Sequence, residues 1–303
     1  MSIAEIESTE LALDSPTGGL WREAWFRLKR NPSAIVGAIF VLAFVVVAIF
    51  APLIAQYPPE QIPTQLPETC CPGPSAAHWF GTNVVGQDTF SRIVYGARLS
   101  LIVGIVSVSV GLSVGMLLGA IAGYVGGFVD SVIMRLMDML LAIPGLLLAI
   151  GIVALELPIP RIYQIMVAIG VTNIPIFARL LRGSILAQRD NDFVLAARAT
   201  GVRRPAILFS HILPNALGPV IVQGTLALAT AIIDVAALGF LGLGPQDPST
   251  PEWGNMLADA QEYLSAAPLL AVFPGVAIVI SVLGFNLIGD GLREALDPKL
   301  RGR

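Results

Sequence analysis

Few side chains in this 303-residue chain could do chemistry. Lysine occurs only at Lys29 and Lys299, and neither follows a glycine-rich loop. A Walker A loop needs Gly-Lys-Ser/Thr to cradle phosphate, so ATP hydrolysis through that motif is excluded. Histidine occurs only at His78 and His211, and cysteine only at Cys70 and Cys71, too few for an ordinary structural zinc site. Gly111-Leu112-Ser113-Val114-Gly115 has the form of a nucleophile elbow. Such an elbow requires a strand–turn–helix setting and a histidine base. This one lies in an apolar run, so a hydrolase is disfavoured and no catalytic or metal-binding residue is assigned. Asp234 is the polar anomaly, flanked by Ala231-Ile232-Ile233 and Val235-Ala236-Ala237. A carboxylate at the centre of a membrane helix costs about 2.5–3.5 kcal/mol on insertion scales, so it must face the bundle or water. Asp234 and Asn286 are the candidates for a substrate pathway, with Asn173 beside them; internal hydrogen bonding is the alternative for Asp234. Arg135 and Asp138, at i and i+3, read as a structural ion pair.

The elements that must carry these residues follow from composition. The chain is 55% hydrophobic and 13% charged, against about 25% charged in soluble domains. A hydrocarbon core about 30 Å thick needs roughly 20 apolar residues as helix. Six runs qualify: 33–55, 99–123, 128–155, 162–181, 217–238 and 267–289. The expected fold is therefore an all-α polytopic membrane protein with six transmembrane helices. Basic residues set its orientation. Arg22, Arg27, Lys29 and Arg30 precede the first span; Arg179, Arg182, Arg189, Arg198, Arg203 and Arg204 lie between the fourth and fifth; Arg293, Lys299, Arg301 and Arg303 end the chain. Six crossings with both termini cytoplasmic keep all of these inside. The net charge of −3, with no basic face, gives no reason to expect nucleic acid.

Around the spans, residues 1–19 read as a disordered tail. Residues 20–32, with Trp21, Trp25 and basic neighbours, read as an amphipathic helix on the inner bilayer surface. Segment 56–98 is extracytoplasmic and proline-rich, which sets the first span (33–55) apart from a five-helix core at 99–289. Cys70-Cys71 lies on that outer side, open to a vicinal disulfide, a bond to another chain, or two free thiols. Gly111, Gly115, Gly119 and Gly123 form a small-xxx-small ladder for close helix packing, against a neighbour in this chain or a partner. Residues 290–303 read as a cytoplasmic tail.

The cytoplasmic segment 190–215 has its own design. Residues 192–200 read as a short helix ended by Gly201 in a left-handed C′ position. Pro205 suits the first turn of a second helix, running to His211 and broken near Pro214. Phe193, Ala196, Ala197 and Thr200 share one face at 0, 3, 4 and 7. A small-residue face on a basic elbow suits another protein's groove.

Ala196-Ala197-x3-Gly201-x11-Leu213-Pro214 resembles the EAA signature of ABC importer permeases, Glu-Ala-Ala-x3-Gly-x9-Ile-x-Leu-Pro. Leu195 stands in place of the family's Glu, and His211 in place of its Ile. The strings His78-Trp79-Phe80-Gly81-Thr82, Gly86-Gln87-Asp88-Thr89-Phe90-Ser91-Arg92, Pro251-Glu252-Trp253-Gly254 and Gly289-Asp290-Gly291-Leu292-Arg293 are similar to the dipeptide/oligopeptide C-type permeases, with Asn83 and Gln87 departing from the usual Asp and Arg. The resemblance implies a type I ABC importer permease (MetI-like) architecture in the bacterial cytoplasmic (inner) membrane. It implies a coupling elbow made of Phe193, Leu195, Ala196, Ala197, Thr200, Gly201, Arg203, Arg204, Leu213 and Pro214. The implied partners are a second (B-type) permease, two ATPase subunits or domains carrying ATP and Mg, and an extracytoplasmic peptide-binding protein. The implied cargo is peptide, with nickel or glutathione as the alternative within the family. This chain would bind no cofactor and hydrolyse nothing itself. An ion-coupled secondary transporter would need several intramembrane ionisable groups, and Asp234 is the main one.

Overall fold

A computed structural model describes residues 20–61, 71–155, 157–247 and 249–296. The expected tail 1–19, Cys70 and the last basic residues, Lys299, Arg301 and Arg303, lie outside the described residues. The helices are α1 (Leu20–Leu28), α2 (Pro32–Ile49), α3 (Ala51–Ile54), α4 (Thr89–Val125), α5 (Gly127–Ala142), α6 (Gly145–Val153), α7 (Arg161–Arg189), α8 (Asp192–Ala199), α9 (Arg204–Ile207), α10 (Leu213–Leu238), α11 (Trp253–Ala260) and α12 (Leu269–Leu296). No strand occurs among the described residues.

Five stretches are single helical spans: α2, α4, α7, the continuous run Arg204–Leu243, and α12. The sixth is the pair α5 and α6, bent by 87°. The sequence led us to expect an unbroken third span. Pro144 prevents it, because proline disfavours helical geometry in the residue before it, and Ile143 is extended (φ −91°, ψ 127°).

The glycine ladder resolves within the chain. A Cβ on Gly111 would stand 2.6 Å from the Asn173 Cβ, and one on Gly115 would stand 2.6 Å from the Ile174 carbonyl oxygen. Gly119 abuts Ala178, and Gly123 abuts Ile185. Contacts climb both helices together, so α4 and α7 run parallel with backbones nearly touching. Parallel neighbours require the chain to cross back between them, and the bent α5–α6 pair is that return. Asn173 is used in this contact: it is buried and donates to the Ile169 carbonyl oxygen at 2.8 Å. Its role in this structure is to pack the α4–α7 contact.

Charged pairs tie α5 to α7 as well. Arg182 grips Asp130 with two hydrogen bonds of 2.5 and 2.6 Å. Asp138 pairs with Arg179, not with Arg135 as its spacing suggested. The cross-helix partner wins because the parallel ladder brings α7's arginines alongside α5.

The first span is not set apart. Asn31 caps α2, its side-chain oxygen accepting from the Ala34 N–H at 3.2 Å, and its amide donates to Glu294 at 2.6 Å. Gly37 meets Gly284 and Ile288, Gly284 meets Phe40, and Gly291 meets Ala34, so α2 lies antiparallel along α12. The sequence hid this because the contact spans about 250 residues. Cys71 is disulfide-bonded, which excludes a free thiol there; its bonding partner lies outside the described residues.

Overpacking a tight site costs about 1–3 kcal/mol, and more where the obstruction is backbone. Gly115→Leu is expected to lower the unfolding temperature of the detergent-purified protein clearly. Gly104→Ala, whose Cβ would have no neighbour closer than 3.9 Å, should leave it within about 0.5 kcal/mol of the parent. Equal effects would rule out backbone contact as the basis of the α4–α7 pairing.

Candidate functional site

The elbow follows α7 directly. Helix α8 ends in a Schellman turn: the Gly201 N–H donates to the Arg198 carbonyl at 3.1 Å, and the Val202 N–H to the Ala197 carbonyl at 3.1 Å. Gly201 has φ +79°, the left-handed value expected of it, and nothing lies within 4 Å of where its Cβ would be. That conformation turns the chain sharply from α8 into α9.

The underside of the elbow is fastened to the bundle. Val194, Ala197, Ile207, Leu208 and Ile212 are buried in the same apolar core as Ile185 of α7. Ala197 is therefore an anchoring residue, although its place in the heptad-like pattern suggested the outward face. The register differs because Val194 and Ala197, three apart, form the buried stripe. The exposed stripe is Phe193 (40% exposed), Leu195 (48%), Ala196 and Thr200. Arg203, Arg204 and Pro214 are also exposed, while Leu213 is half-buried. The second helix does not break at Pro214. A π-helical turn at Leu208–Ile212 leads straight into α10, and such a wide turn accommodates a residue that lacks an N–H.

Asp234 is half-buried on α10, within the helical run Arg204–Leu243. Asn286 is half-buried on α12.

At the end of the bundle opposite the elbow, α11 packs across α4 and α10, a feature for which sequence reading assigned no role. Glu252 caps α11: its carboxylate accepts from the N–H groups of Gly254 and Asn255, both at 2.8 Å. The same carboxylate packs directly on Gly239, where no Cβ could fit, and Gly254 lies against the Ala236 backbone. Trp253 donates its indole N–H to the Ile93 carbonyl at 3.1 Å and covers Gly96 of α4. Nearby, Asp88 caps α4 by accepting from the Ser91 N–H at 2.7 Å and contacts His78 Nδ1 at 2.9 Å. Gln87 accepts from Arg92 at 2.7 Å. The strings around Gln87-Asp88 and Glu252-Trp253-Gly254 are thus packing and capping devices. Burial pushes the Glu252 carboxyl up to about 7, against the opposing pull of its two N–H donors.

The fold, though at low sequence identity, is that of known importer subunits. It superposes on the inward-facing MetNI methionine ABC transporter with a TM-score of 0.57 at 21% identity, covering 69% of this chain and 97% of that one. Up to six candidate spans in this arrangement match a type I importer permease fold. The chain belongs to the family of binding-protein-dependent transport system inner membrane components, matched over residues 115–302. Residues 19–67 match the N-terminal transmembrane domain of oligopeptide transport permease C. The chain is 50% identical over 281 residues to the dipeptide transport system permease protein DppC of Alkalihalophilus pseudofirmus, covering 93% of this chain and 90% of that protein. It is 49% identical over 282 residues to the glutathione transport system permease protein GsiD of Salmonella typhimurium, covering 93% and 91%.

The Glu252 environment makes the cap pH-dependent. Burial raises its carboxyl to about 7 in the folded state, from an ordinary value of 4.5. The folded state therefore holds the proton more tightly. The cap should be most stable below about pH 4.5 and lose stability as pH rises through about 7. Amide exchange at Gly254 and Asn255 should accelerate across that window, and Glu252→Gln should flatten the dependence. An unchanged slope in the variant would assign the effect to another group.

Proposed function

We propose that this chain is the C-type permease subunit of an ATP-driven peptide importer, with both termini in the cytoplasm. The observation that carries the reading is near 50% identity over 93% of the chain to permeases whose names specify dipeptide and glutathione, both small peptides. Under this reading the α8 elbow is the docking element for an ATPase. It offers Phe193, Leu195, Ala196 and Thr200 outward while Val194 and Ala197 hold it to the bundle. A second permease subunit completes the pathway, two ATPase subunits or domains bind ATP and Mg below, and an extracytoplasmic binding protein delivers peptide above. ATP-driven closure of the ATPases draws the two permeases' elbows together and switches the pathway between inward- and outward-facing. Arg203 and Arg204 are supporting contacts, since exposed charge pairs contribute only about 0–1 kcal/mol. Asp234 and Asn286 line the pathway, Asp234 meeting a cationic end of the peptide.

Gly201 separates docking geometry from folding. A side chain at its positive φ costs roughly 1 kcal/mol, more if β-branched, small beside the stability of the bundle, but it re-aims α9, the second helix of the elbow. Gly201→Val is expected to give membrane-inserted protein whose complex loses peptide-stimulated ATP hydrolysis or releases its ATPase. Phe193→Cys or Ala196→Cys should cross-link to the ATPase in the parent complex, which also places the elbow in the cytoplasm. Full coupling in Gly201→Val together with no cross-link refutes the docking assignment.

Asp234→Asn is expected to slow peptide uptake several-fold with the complex intact, as followed by transport into proteoliposomes supplied with the binding protein. Unaltered uptake across several peptides reduces Asp234 to a structural group. Mass spectrometry of peptides retained by the binding protein tests the cargo class directly.

A further inference from the structure

A cleft of about 670 Å³ opens where the last turns of α4 and α7 meet the elbow. Its wall is divided. Ile185 and Ile207 belong to its apolar side, while Arg189, Arg198 and Arg204 bring three guanidinium groups to the other, with the Tyr124 phenol between α4 and the elbow. Among the described residues no carboxylate lines it. The arginines about two and three turns earlier on α7 are already matched, Arg182 with Asp130 and Arg179 with Asp138. The three in the cleft form no ion pair among the described residues; Arg198 donates only to the Arg189 carbonyl oxygen, at 3.3 Å.

Three like charges gathered at one cleft repel each other and attract an anion. Planar guanidinium forks match the paired oxygens of a phosphate better than they match a single charge. The cleft also lies where the long helices end, the level at which basic pockets between membrane helices meet headgroups. We propose that this cleft binds a phosphate group, with Arg189, Arg198 and Arg204 on its oxygens and the isoleucines against an attached apolar stem. The group can come from a phospholipid of the surrounding leaflet or from a soluble phosphate ester. The proposal does not depend on the cargo, and of its three arginines only Arg204 is shared with the supporting docking contacts.

The assembled complex provides the test, by native mass spectrometry with two probes: phosphatidylglycerol against phosphatidylcholine, and glycerol phosphate in solution. The parent is expected to retain phosphatidylglycerol about tenfold more tightly than the Arg189→Gln/Arg198→Gln variant. Arg189→Lys/Arg198→Lys should keep most of that preference, which separates lost charge from lost structure. The single Arg198→Gln, at an exposed side chain, covers the case in which the double variant fails to assemble. Preference for phosphatidylglycerol alone assigns a lipid; equal response to glycerol phosphate assigns a soluble ester. Binding of both probes unchanged by the Gln variants, or no binding while Arg198→Cys cross-links to a partner protein, overturns the proposal.

Discussion

The direct approach of two backbones, α4 on α7, is the contact on which the rest of this structure depends. Lipid tails are as apolar as leucine, so helices in a membrane gain little from hiding apolar side chains from each other. Close packing takes over that role, and small residues allow it. Gly111, Gly115, Gly119 and Gly123 remove the side chains that would hold the helices apart. Gly170 does the same from the other side, bearing on Val110. Because the contact is parallel, the chain must return between the two helices, and the bent α5–α6 segment is the consequence.

That contact also fixes the position of the elbow. Gly123 rests on Ile185, one turn before α7 ends at Arg189. The elbow then folds back so that Val194, Ala197, Ile207 and Ile212 join the same core as Ile185. A helix fastened beneath in this way cannot swing independently of the bundle. Force applied at Phe193 or Ala196 would be passed into α7 and α10, the helices on either side of the turn. Under the proposed docking role, the elbow is an exposed contact strip on a buried mount.

At the far end the same economy appears with different parts. Gly239, Gly254 and Gly96 let the α11 cap sit against helix backbone, and Glu252 and Trp253 satisfy the polar groups that this closeness buries. Asp88 and Gln87 do the equivalent work where α4 begins. The residues that look most reactive at that end are therefore occupied in capping and packing its helices.

Much of this was legible in the chain. Apolar run lengths alone dictated six crossings, since each must match the bilayer. The glycine period announced a close helix contact, and Gly201 announced the left-handed turn it makes, because both are demands of backbone geometry on single residues. Tertiary structure decided which helix the ladder meets, and that the first span packs on α12. It also paired Asp138 with Arg179, because ion pairs follow proximity in space and not spacing along a helix. The bend at Pro144 was visible as a residue, but its 87° angle depends on what α5 and α6 pack against. Ala197 shows the limit most clearly: an eight-residue helix of small residues has no sequence-level mark for which stripe is inward, and only docking on Ile185's core assigns Val194 and Ala197 to the mount and Phe193, Leu195 and Ala196 to the outside.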